Sequence, residues 1–321
     1  MSERHLAPRR LHRGLAAIGA LALAAGLAAM SGGAASATTQ AAPQAAAQAK
    51  HHKPQPHGRF GIVPMRSAST AATASRVHTF APESGGTGGP LNYGGGPVQH
   101  NVQVYLVFWG SQWDSDSNGV EGYMQNLFSG LGTSSDSWST VTSQYTDSSG
   151  SGPTFGGAVL AGTWVDDGSP APQSAAQSDI AAEAENGVSH FGITPTGDTQ
   201  IVVLSPSGTN PDGFPNSGFC AWHDYDGTVS YTNMPYVLDA GSSCGANSVA
   251  NQLDGFSIVE GHEYAESMTD PQPSSGWVAG DGEENGDLCA WYDLGSISLS
   301  TGSFAMQPTW SNAANGCAMS G

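Results

Sequence analysis

The chain has 321 residues, with 27 acidic side chains against nine lysines and arginines, a formal net charge of −18 at pH 7. All nine cations lie at or before Arg76, and 26 of the 27 acids lie after it. Residues 77–321 therefore have no Lys or Arg to meet a phosphate backbone, which excludes nucleic acid as a partner, yet they are long enough for one domain with a substantial core.

Residues 1–37 have a basic front, an apolar middle and a small-residue end with Ala35-Ser36-Ala37 as an A-x-A site. That pattern reads as a signal peptide, so the expected product is secreted and extracellular. No later apolar run is long enough to span a membrane, so no membrane partner is expected after cleavage. Residues 38–76 carry five basic residues, three histidines and no acid in an Ala/Gln/Pro/Ser/Thr-rich background. They read as a basic disordered or pro-segment. Lying across an acidic cleft, such a segment would act as in a zymogen; a linker or wall-associated tail is the plainer reading. The acidic body, residues 77–321, would repel itself at neutral pH and relax in acid. Adaptation to acidic surroundings is the reading preferred over solubility alone.

Along the body, GGTGGPLNYGGGP (85–97) reads as a glycine-rich loop and NVQVYLVFWG (101–110) as a buried central strand. Val120, Tyr123, Met124, Leu127 and Phe128 have helical spacing. TFGGAVLAGTWVDD (154–167) alternates like a strand or hairpin. SDIAAEAENGV predicts a helix starting at Ser178 or Asp179, and TQIVVLSPSG (199–208) another strand. MPYVLDAG (234–241) reads as a short strand leading into GSSCG. A helix is predicted over about 253–268, stopped by Pro271; loops and short strands follow Trp277. The fold class is α/β or α+β: a single domain with a mixed central sheet, flanking helices and long Gly/Ser-rich loops. Four cysteines in an exported chain imply two disulfides, and the local pairing Cys220–Cys244 with Cys289–Cys317 is preferred among three.

The candidate chemistry lies in GHEYAESMTD (261–270). On a helix, His262 and Glu266 project from one face and can bind one metal ion. Glu263 sits where the base of an HExxH metalloprotease sits. Zinc accepts imidazole nitrogen and carboxylate oxygen alike. Asp270, one further turn on, could orient a ligand. For a third ligand, GDGEENGDLCAW (280–291) offers Glu284 first and Asp287 in reserve. His223, in FCAWHDY, could bind metal or donate a hydrogen bond to a tetrahedral intermediate. An acidic loop by itself also suits calcium, so Zn2+ is the expected cofactor and Ca2+ the alternative.

The strings NVQVYLVFWG, FCAWH, MPYVLDAG, IVEGHEYAESMTDP and GEENGDLCAW resemble secreted bacterial proteins related to the plant phosphate-induced, or exordium-like, family, over most of residues 90–321. The resemblance implies a zinc-dependent extracellular protein, with His262, Glu263 and Glu266 on the active helix and Glu284/Asp287 in the matching acidic segment. The plant relatives have growth-linked roles in the cell wall.

Three readings follow. The first is a metal-dependent hydrolase, an endopeptidase adapted to acid, acting on a protein or peptide substrate as a monomer. The second is a metal-free acid peptidase that uses a carboxylate pair, Glu263 or Glu266 with Asp270, Glu284 or Asp287. The third is a non-enzymatic cell-surface or wall-associated protein. A serine hydrolase built on Ser243 in GSSCG carries little weight, because Cys244 is expected in a disulfide.

Overall fold

The structure, a computed structural model, describes residues 61–66 and 89–321. The expected signal peptide lies outside the described residues, as does the rest of the basic segment apart from residues 61–66. Contacts divide the chain into Met1–Ala49 and Lys50–Gly321, and everything described belongs to the second unit.

The centre is a six-stranded mixed sheet. Its strands are β1 (Ile62–Pro64), β3 (Gln103–Trp109), β4 (Leu160–Asp166), β5 (Thr199–Leu204), β6 (Phe219–Tyr225) and β7 (Ser230–Met234), in the order β1-β6-β7-β5-β3-β4. Strands β7, β5, β3 and β4 are mutually parallel, whereas β6 runs antiparallel to β7 and β1 antiparallel to β6. The most apolar runs take the middle: Val104–Phe108 and all of β5 are buried, as central parallel strands covered on both faces must be. Small pairs complete the strands: β2 (Asn92–Tyr93) with β8 (Trp277–Val278), β9 (Gly295–Leu299) with β10 (Gly302–Met306), and β11 (Thr309–Ser311) with β12 (Gly316–Ala318).

Three helices flank the sheet: α1 (Val120–Gly130), α2 (Gln177–Phe191) and α3 (Asp254–Thr269). Alternation along a strand assigns their faces. Gly187 of α2 packs on Val107 and Ile201. The next residue round, Gln200, donates to the Tyr264 carbonyl of α3 (3.4 Å), so α3 covers the opposite face. Phe128 of α1 meets Tyr264 edge-on at 5.6 Å, which puts α1 beside α3. Strand β10 packs on α3 in turn.

Several expectations shift in detail. Residues 154–167 give a strand parallel to β3, reached through α1, and no hairpin. Helix α2 begins at Gln177, and the Asp179 carboxylate accepts the Ala176 N–H (2.8 Å) to hold its first turn. MPYVLDAG is not a strand: β7 ends at Met234 and Val237–Cys244 forms a 3-10 turn. Pro235 has no N–H for the ladder, so the strand stops there. Within the basic segment, Ile62–Pro64 is part of the sheet, and the expected boundary at residue 76 lies outside the described residues. Among the described residues, no helix is long and apolar enough to cross a membrane.

The disulfides are Cys220–Cys244 and Cys289–Cys317, as local pairing predicts. The first ties β6 to the 3-10 turn; the second ties the acidic loop to β12. Replacing Cys289 and Cys317 together by alanine should lower stability by about 2–4 kcal/mol in urea unfolding, since the loop of 28 residues is freed in the unfolded chain.

Candidate metal centre

Every residue of α3 is buried, including Glu260, His262, Glu263 and Glu266. A wholly buried helix is ordinarily apolar on all sides. This one puts four carboxyls and an imidazole into the interior, Asp254 at its start included. Its ends are fixed by acids. The Asp254 carboxylate accepts the N–H groups of Val249 (2.7 Å), Ala250 (2.7 Å) and Asn251 (3.0 Å), which sets the turn into the helix. At the far end the Asp270 carboxylate accepts from the N–H groups of Ser274 (2.7 Å), Ser275 (3.1 Å) and Gly276 (2.7 Å).

The acidic loop folds back on α3 through one residue that the motif reading passed over. Asn285 is fully buried, and its amide donates to the Ala265 carbonyl (2.9 Å) and the Thr269 hydroxyl (2.7 Å). Gly286 then lies flat on the His262 ring. A Cβ there would stand 2.8 Å from the imidazole and 2.9 Å from Glu266 Oε1. With Gly286 against the ring, Asp287 reaches the cluster, and its N–H donates to Glu266 Oε1 (3.0 Å). The only sequence signal for this hook was the compact N-G-D turn.

The result is a convergence of all the candidate side chains. His262 Nε2 lies 2.7 Å from Glu266 Oε1 and 3.5 Å from Asp287 Oδ1. One donor atom from each of these three residues falls within 4.8 Å of the others. Three ligands each about 2.0–2.2 Å from one zinc ion have comparable mutual spacing. His223, on β6, presents Nδ1 to Glu263 Oε2 at 3.7 Å and Nε2 to Glu284 Oε2 at 3.4 Å. His223, Glu263 and Glu266 form a second group within the same limit, so Glu266 is common to both.

Glu284, the first choice for a third ligand, belongs to neither group of three. Asp287 joins His262 and Glu266 instead. The anchor on Thr269 explains this: Glu284 precedes Asn285 and meets Asp270 at the end of α3, whereas Asp287 follows it and returns towards His262. The carboxyls of Glu284 and Asp270 are in contact, and two carboxyls can hydrogen-bond only when one holds a proton.

Burial, reinforced by neighbouring carboxyls, raises Glu263 and Glu284 well above the ordinary range; burial alone does so for Glu260. Burial, then Asp287, lifts Glu266 to about 7, and burial lifts Asp270 to about 6. Burial and the neighbouring His262 push His223 down to about 3, so it is neutral above that. Burial also opposes charge on His262, but Glu266 and Asp287 outweigh it and hold its pKa well above the usual imidazole value.

Does a cation suit these residues? Glu266 Oε2, both Glu263 oxygens and both His223 nitrogens are buried with no hydrogen-bond partner among the described residues. Orphaned groups of this kind each cost about 1–3 kcal/mol. The donors are imidazole nitrogen and carboxylate oxygen, a set zinc accepts. Without a cation, it is a proton on His262 that offsets Glu266 and Asp287, and a metal must displace it. The residues fit.

Surface hollows lie elsewhere. One of about 200 Å³ includes Pro97, Tyr225 and Pro271 in its lining. Another of about 340 Å³ includes Trp109, Asp166 and Glu183. Neither is lined by a residue of the cluster. Comparison with family models, curated proteins and solved structures finds no match for the chain.

A pH dependence follows for the metal-free protein. Carboxyls whose folded pKa is raised keep their proton in the folded state after the unfolded chain has lost it, so stability falls as pH rises from about 4 through the values near 6 and 7 given for Asp270 and Glu266. His262, also raised, acts in the same direction. His223 acts oppositely, losing stability as pH falls from about 6.5 towards 3, but it is one group against several carboxyls. Thermal unfolding in chelator should therefore give a higher Tm near pH 5 than near pH 7.5. Asp270→Asn should flatten part of that slope, and a Tm that climbs with pH would contradict the assignment.

Proposed function

We propose that the chain is an exported, metal-dependent hydrolase acting as an endopeptidase, with His262, Glu266 and Asp287 as ligands to zinc. The observation that carries this is the fully buried His262–Glu266 pair one helical turn apart, met by Asp287 from a separate, disulfide-anchored loop. His262 and Glu266 are closer than His223 and Glu263, and the Asp287 N–H fixes Glu266, which favours this group over the second one. Bound there, zinc would supply Lewis acidity towards a peptide carbonyl and lower the pKa of a water molecule.

The protein's own groups account for the rest. Glu263 follows His262 on the helix and has two free carboxylate oxygens, so it takes a proton from the attacking water and returns it to the leaving amine. Its raised pKa is the direction a base working near neutral pH needs. His223 is neutral and can donate one N–H to the substrate oxygen as negative charge develops there. Glu284 lies beside His223, with its Oε2 3.4 Å from Nε2. The two disulfides suit an extracellular setting, and the resemblance to secreted exordium-like proteins points the same way.

The Glu284–Asp270 contact also favours a second reading, a metal-free acid peptidase built on a carboxyl pair. Elemental analysis and hydrolysis of denatured casein, followed together between roughly pH 3 and 8, separate the two. On the metal reading, one zinc is expected per chain, with activity lost in chelator and restored by zinc. Glu266→Gln should lose the metal. Glu263→Gln should keep it while kcat falls by about 10²–10⁴-fold. Full activity in chelator at low pH would support the carboxyl pair instead. Neither metal nor hydrolysis at any pH would leave a wall-associated role.

A further inference from the structure

The cluster is sealed: His262, Glu263, Glu266 and Glu284 have no exposed surface. One wall comes from outside the acidic body. Residues 61–66, part of the basic segment, lie along β6, the strand that carries His223, and β1 also packs on α3. Pairing is antiparallel, Ile62 opposite Trp222 and Val63 opposite Ala221. The His223 N–H donates to the Gly61 carbonyl (3.0 Å), the Met65 N–H to Gly218 (2.9 Å) and the Arg66 N–H to Ser243 (2.8 Å). Trp291 Nε1 donates to the Pro64 carbonyl (2.7 Å).

These bonds are made by the segment's main chain, so they would hold an extended peptide of almost any sequence. Selectivity comes from three positions. Gly61 has φ +68°, and a Cβ there would stand 3.1 Å from the His223 ring, so little beyond glycine fits. Val63 is fully buried. Arg66 stacks on Trp291 at 5.5 Å and donates to Ser248 Oγ (2.8 Å), the only Lys or Arg among the described residues of an acidic body.

Resting on the peptidase reading, we infer that residues 61–66 occupy the substrate's own place. An extended polypeptide adds to β6 antiparallel, its backbone passing His223, an aliphatic side chain in the Val63 site and a basic side chain between Trp291 and Ser248. Residues 61–66 are its intramolecular stand-in. The strand is short, and it lies at the sheet's edge with an irregular register at Val63/Pro64. Withdrawing it would bare the edge of β6, the Val63 site and the Trp291 seat together, and an incoming peptide replaces all three.

The test uses the full chain with a specific protease-cleavage sequence placed between residues 67 and 88. The Glu263→Gln background keeps binding separate from hydrolysis. After cutting, fluorescein-labelled Gly-Ile-Val-Pro-Met-Arg should exchange in and saturate. The unlabelled peptide should compete, and the same peptide carrying Arg66→Ala should compete about tenfold more weakly. In the chain with Glu263 intact, cutting should raise casein hydrolysis and added peptide should suppress it. Absence of exchange with the near-UV circular dichroism unchanged would overturn the inference, because β1 would then be a permanent strand. Unfolding on release of the segment would overturn it as well. Saturable exchange without hydrolysis would preserve the peptide site and reject the peptidase reading alone. Hydrolysis that rises on cutting without peptide exchange would do the reverse.

Discussion

Burying carboxyl groups in an acidic body, residues 77–321, that contains no lysine or arginine of its own is the constraint from which the rest of the structure follows. A carboxylate moved out of water must be protonated, paired or bound to a cation. Elsewhere a buried Glu would find a guanidinium. Here the only Lys or Arg among the described residues, Arg66, is engaged with Trp291 and Ser248, and the interior offers His262 and His223. The whole acidic loop is committed to this problem. Asn285 hooks it to α3, Gly286 lets it lie against the imidazole, and the Cys289–Cys317 bond keeps its far end in place. Such support for five carboxyls and two imidazoles makes little sense for packing alone, because apolar side chains of similar volume would be at least as stable.

What could be read in the sequence followed from local rules. Helix α3 lies where the apolar spacing and Pro271 put it, within one residue at each end. The β-branched and aromatic run 101–110 gives β3. Disulfide partners follow from short separations. What could not be read depended on contacts distant in sequence. A three-residue strand at Ile62–Pro64 has no periodicity of its own and exists because β6 offers it an edge. MPYVLDAG looks apolar enough for a strand, but Pro235 cannot donate to the ladder. Residue types alone could place Glu284, Asp287 and His223 near His262, yet not rank them. The choice between Glu284 and Asp287 is made by the Asn285–Thr269 bond, and an asparagine in a polar loop carries no mark of that role.

Two charge systems in this molecule respond differently to acid. On the outside, the exposed acids of a body without Lys or Arg after Arg76 repel one another, and protonation relieves that repulsion. Inside, Glu266 and Asp287 draw a proton onto His262, where it competes with any cation for the same imidazole nitrogen. Acid therefore favours the fold while weakening a metal centre. A ligand set of one imidazole and two carboxylates moderates the conflict. Only one imidazole must give up its proton, and the N–H of Asp287 helps to keep Glu266 an acceptor. With two imidazoles, cation binding would have to displace a proton from each. An HExxE helix with one imidazole therefore has one proton fewer to displace than an HExxH helix, and so is the less sensitive of the two to acid.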